Sequence, residues 1–213
     1  MTRAGSGSRS GNSVLGVSED QRVRRDSHEP AKSDPSGAER WADYLDWVRE
    51  DIIKVVTSLP HAEKRTSRLP TGWTPIELLS HVFHMEQRWF VWGFLGESVD
   101  QPWGDWNAPE PWTDDDSGET GADARWVVAA GTTAEDIALQ LRALGMRTRA
   151  VLREHRMDAP GTPGGRFGDN PPTLEWICFH VLAEYARHAG QLDVVAEIAR
   201  SECRGWPASG SPR

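Results

Sequence analysis

The sequence predicts an all-α protein, a four-helix bundle, on three observations. Apolar residues recur at spacings of three and four in four long segments. No segment shows the sustained alternation of a strand. Two of the segments open on a Thr followed three residues later by Glu, the pattern of a helix-starting capping box.

Residues 1–36 are rich in Ser, Gly, Arg, Asp and Glu. With so few apolar side chains they cannot offset the entropy of ordering, so a disordered extension is expected. The first helix is expected from about Ala38 to Ser58, with Trp41, Leu45, Val48, Ile52 and Val55 as its apolar stripe. Pro60 stops it. Thr74 as N-cap, Pro75 at the first position and Glu77 at the third start the second helix, which ends near Gly93 or Gly96. Its inward stripe is Leu78, His81, Met85, Trp89 and Trp92. His84 shares the opposite face with Glu77, Ser80 and Arg88, which predicts solvent exposure.

Residues 97–131 hold no long period. A connection of that length is uncommon in a compact domain, and Trp103, Trp106 and Trp112 favour a segment packed across the bundle. The third helix opens on Thr132 to Glu135 and runs to about His155, with Ile137, Leu141, Leu144 and Val151 inward. DAPGTPGGRFGDNPP is a loop by its Gly and Pro content. The fourth helix begins near Pro171–Thr173 and continues to about Ser201, leaving residues 202–213 as a disordered tail and residues 37–201 as one domain. The short first connection suggests antiparallel neighbours, and the long one lets helices two and three run parallel.

A formal net charge of −8 argues against nucleic acid or an anionic membrane as partner. No apolar run approaches the roughly 20 residues that cross a bilayer, and no apolar stretch follows the basic N-terminus as in a secretory signal. Two cysteines do not make a disulfide framework. Both are expected as reduced thiols in a cytoplasmic protein, with Cys178 in the core.

The chemistry gathers in LEWICFHVLAEYARHAGQLDVV. Glu184 and His188 lie four residues apart, on a face otherwise made of Ile177, Val181, Leu192 and Val195. A carboxylate and an imidazole desolvated together are costly unless something satisfies them. A divalent metal, with inward-facing His81 as third ligand, is the economical explanation, and three protein ligands leave a coordination position open. His180, one turn before Glu184, is either a further ligand or a hydrogen-bond partner to it. Glu86 either buttresses the site or pairs with an arginine, and the arginine is the stronger expectation.

GWTPIELLSHVFHMEQRWFVWGFLGE, followed at a distance by HVLAEYARHAGQLD, resembles the DinB-like metal-binding bundles over about residues 38–200. The resemblance is closest to the branch of mycothiol-dependent S-transferases and mycothiol-dependent maleylpyruvate isomerase. It implies an up-down-down-up bundle and a divalent metal, zinc in the first instance with nickel or iron as alternatives, held by His81, Glu184 and His188. It also implies a low-molecular-weight thiol, mycothiol-like, as co-substrate, a small-molecule electrophile as acceptor, and a monomer or homodimer. No residue is assigned a catalytic role of its own. Zinc with two neutral imidazoles and one carboxylate keeps net positive charge, so it would hold the thiol as a thiolate nucleophile. The rivals are a non-catalytic metal-binding stress or regulatory protein, a maleylpyruvate isomerase-type enzyme, and a hydrolase using activated water.

Overall fold

The computed structural model describes residues 29–30, 37–99, 127–164 and 166–203. Trp103, Trp106 and Trp112 lie outside them, as do most of residues 1–36 and all of the tail beyond Cys203. Among the described residues there is no strand, only two isolated bridges, Pro160 to Thr173 and Gly164 to Gly168.

Helix α1 spans Gly37–Thr57 and α2 is a single turn, His61–Lys64, that the sequence reading missed. Helix α3 spans Pro75–Glu86 and continues as a π-helix over Gln87–Phe94. Helix α4 is Ala134–Glu154 and α5 is Leu174–Cys203. No helix among the described residues is long and apolar enough to cross a membrane.

Pairings between helices fix their directions. Arg149 meets Asp43 and Asp46 while Arg142 meets Glu50, so α1 and α4 are antiparallel. Trp41 packs on Phe179 and Arg200 reaches Ser58, so α1 and α5 are parallel. Glu86 touches Tyr185 while Trp89 meets His180, so α3 runs against α5. Lys64, shortly before α3, pairs with Glu135 at the start of α4, and Phe94 meets His155 at the far end. Helices α3 and α4 are therefore parallel, and the long connection is a crossover. The order is up-down-down-up, as expected. Helices α1 and α3 are antiparallel, but each packs more extensively on α4 and α5 than on the other.

Both expected caps exist, one shifted by a residue. Glu77 accepts from the Thr74 amide at 2.8 Å and its hydroxyl at 2.7 Å. At α4 the cap is Thr133 with Asp136, not Thr132 with Glu135. The doublets Thr-Thr and Glu-Asp write two overlapping boxes, and the one used leaves Glu135 to receive Lys64.

The π-helix is the larger difference. A regular helix buries a stripe, yet all six residues from Trp89 to Phe94 are buried here. The wider register, seen in Leu95 N–H donating to Phe90 C=O, rotates Trp92 into a separate cluster with Val91, Val99 and Leu144. Two glycines then admit the loop before α5. A Cβ on Gly93 would lie 2.6 Å from the Phe167 ring, and Gly96, at φ +69°, would place one 2.6 Å from Thr162. Thr162 donates to Phe94 C=O from both its amide and its hydroxyl, at 2.9 Å each, fastening the loop to the π segment.

A polar cluster lies inside the apolar core. The fully buried Glu86 carboxylate accepts from Arg49 Nε at 2.9 Å and Nη2 at 2.8 Å, from Thr148 Oγ1 at 2.6 Å, and from the Tyr185 hydroxyl. One acid thus gathers donors from α1, α4 and α5. Gly145 makes room for it: a Cβ there would meet Arg49 Nη1 at 2.5 Å. Burial and the adjacent Glu86 push the Tyr185 phenol well above its ordinary range, so it remains a donor.

Candidate metal centre

His81 from α3 and Glu184 and His188 from α5 converge where these antiparallel helices face each other. One potential ligand atom from each lies within 4.8 Å of the others. The imidazoles meet edge to face, with centroids 4.8 Å apart. His188 Nε2 is 3.4 Å from Glu184 Oε2, and the other carboxylate oxygen lies 3.3 Å from Arg187.

Two features suit this set to a divalent cation. His188 Nδ1 sits 2.9 Å from Gln191 Oε1, which can only accept. A proton on Nδ1 would satisfy this contact and leave the Nε2 lone pair for the cluster, the arrangement in which a ligating histidine is held by a partner on its other nitrogen. That Nε2 is buried and makes no hydrogen bond. Burial, reinforced by His188, Arg88 and His84 nearby, pulls the His81 imidazole down to about 3. It is neutral across the physiological range, as ligation requires. Gln191 was missed by the sequence reading; its signal was the i,i+3 spacing from His188.

The alternative readings resolve differently. His180 is not in the ligand group. Its ring lies 4.0 Å from Trp89 and stacks on Trp176 at 5.4 Å with 12° between planes. Burial lowers its pKa, against the opposing pull of Glu184. Glu86 pairs with an arginine, Arg49. The expectation that His84 faces solvent is corrected: it is half-buried, its Nδ1 is shielded from water, and its ring lies against Phe83. The reason is crowding, because α3 packs on α1, α4 and α5, and Glu77, Ser80 and Arg88 on the same face are half-buried as well. Cys178 is buried as expected, and burial followed by the charge of Glu175 pushes its thiol up to about 12.

Fold and site together define a DinB-like helical bundle with a His/Glu/His donor group between its second and last long helices. The family model for mycothiol-S-transferase matches residues 41–201, most of the chain, and the protein belongs to that family. No curated protein matches it.

Proposed function

We propose that this protein is a metal-dependent thiol S-transferase that joins a low-molecular-weight thiol of the mycothiol type to an electrophilic carbon. The observation that carries the reading is the convergence of His81, Glu184 and His188, with His81 held neutral by burial, in a chain of this family. A divalent cation held there, zinc first among the alternatives, would supply Lewis acidity that lowers a thiol's pKa. The chain's own groups prepare the place. Gln191 orients His188, and burial keeps His81 free of a proton.

The nucleophile comes from the co-substrate, since Cys178 is sealed in the core and protonated at any physiological pH. In the net reaction a carbon–sulfur bond forms and the bond from that carbon to its leaving group breaks. The leaving group departs with the electron pair, and the thiol proton passes to solvent. We place the activity in the cytoplasm, where such thiols are kept reduced.

Elemental analysis of the purified protein, paired with transfer assays using several thiols and chlorodinitrobenzene or monochlorobimane, tests this. One divalent cation per chain and thiol-dependent product are expected. His81→Ala should lose both metal and transfer, whereas His84→Ala should keep both near wild type. Metal without any thiol transfer would favour the non-catalytic rival, and equal losses from the two substitutions would show that the helical phase separating His81 from His84 was misread.

A further inference from the structure

Three contacts tie α3 and its π extension to α5 like rungs. The His81 and His188 rings meet with centroids 4.8 Å apart, the Tyr185 hydroxyl donates to Glu86, and Trp89 lies 4.0 Å from His180. Each step forward along α3 is matched by a step back along α5, so all three share one antiparallel register. The middle rung differs from the packing around it. Leu78, Val82 and Met85 of α3 and Val181, Ala189 and Leu192 of α5 belong to one apolar core, and apolar burial has no direction. A hydroxyl donating to a charged acceptor is directional and strong. Tyr185 and Glu86 are both fully buried. Glu86 is itself fixed, because Arg49 of α1 holds both its oxygens, at 2.9 and 2.8 Å, and Thr148 of α4 holds one at 2.6 Å. Tyr185 follows Glu184 directly and stands three residues before His188.

We propose that Tyr185 is a positioning residue for the donor group: docked on Glu86, it sets the register of α5 against α3 that brings Glu184 and His188 opposite His81. The inference rests on the reading that these donors hold a divalent cation. A slip of one residue along a helix displaces a side chain by about 1.5 Å and turns it by about 100°. Metal–ligand distances tolerate only about 0.2 Å. A donor set divided between two helices therefore needs their register held far more finely than one residue, and a directional bond between the same two helices supplies that. Specifying register is the best-attested use of a buried polar pair. Arg49 and Thr148 hold the same carboxylate from α1 and α4, which carry none of the three donors.

Zinc affinity of the full-length protein, measured by competition with a chromophoric chelator, tests this with variants that separate register from stability. Tyr185→Phe removes the hydrogen bond between α3 and α5 and should weaken zinc binding about 10- to 100-fold, the range for partners that orient metal ligands. Thr148→Val removes a hydrogen bond to the same carboxylate from α4 and should leave the affinity near wild type. Replacing Arg49 and Glu86 together by Leu deletes the anchor without stranding a charge. That double variant should be folded by circular dichroism yet bind zinc as weakly as Tyr185→Phe. With Co2+ in place of zinc, the visible spectrum should change in Tyr185→Phe and not in Thr148→Val. The positioning role is overturned if Tyr185→Phe or the folded double variant binds zinc like wild type, or if Thr148→Val loses as much as Tyr185→Phe. A wild-type protein that takes up no cation would sink the metal-centre reading, and the positioning role with it.

Discussion

Arg49→Leu tests whether the central polar cluster stabilises the bundle. The substitution removes two of the four hydrogen bonds to the Glu86 carboxylate and leaves that charge buried with only the neutral Thr148 and Tyr185 hydroxyls. Breaking a buried pair from one side costs about 3–5 kcal/mol, chiefly through the uncompensated charge. Against a total stability of about 5–15 kcal/mol this is a large fraction. Tyr185→Phe takes one donor from an acid that keeps its guanidinium, so about 1.5–3 kcal/mol is expected. Replacing Arg49 and Glu86 together by Leu removes both charges, and the double variant should be more stable than the sum of the single losses implies. Urea unfolding followed by far-ultraviolet circular dichroism gives all four values. A loss below about 1 kcal/mol for Arg49→Leu, or strict additivity in the double variant, would refute the reasoning.

Two more expectations concern titrating groups. His81 stays neutral in the fold down to about pH 3, while an unfolded histidine takes up a proton near its ordinary 6.5. Between those values the unfolded chain binds more protons, so the metal-free protein should lose stability as pH falls through the window. The loss is at most about 1.4 kcal/mol per pH unit for one proton, and this contribution is intact above about 6.5. Urea titrations of wild type and His81→Gln check this; identical slopes would disprove it. Cys178, buried and with its thiol pushed up to about 12, should resist Ellman's reagent in a Cys203→Ser background until the protein is unfolded. Prompt labelling of the native variant would show that the core around it is open.

Much of the fold was legible because it rests on local rules. The Thr74–Glu77 cap, the inward Leu78 and Met85, and the stripe through Ile177, Val181, Leu192 and Val195 follow from chemistry within a few residues. The pairing of Glu184 with His188 and the inward phase of His81 were readable for the same reason. The polar cluster was not. Arg49, Thr148 and Tyr185 interrupt the apolar pattern, and their shared partner Glu86 is 37, 62 and 99 residues away. The sequence stripe of α1 was accordingly placed through Val48 and Val55, whereas the buried line includes Arg49, Ile53 and Val56. The π register escaped as well, since it is decided by how bulky rings pack and not by their order. His180 could be placed beside Glu184 by spacing, but the rings on either side of it come from α3's extension and its own helix together.

The donor group has a consequence for how the protein is made. His81 lies in the first half of the chain, and its partners Glu184 and His188 come in the last helix. A nascent chain leaving the ribosome therefore carries one imidazole of the set for about a hundred residues before the others exist. Premature termination leaves His81 without its two partners, and failure to dock α5 leaves the set divided, a weak competitor for any cation. On the proposed reading, loading of a cation would follow completion of the bundle and not precede it. Occupancy would then report on chains that have finished folding, and the cation would fasten the second and last long helices only after both are in place.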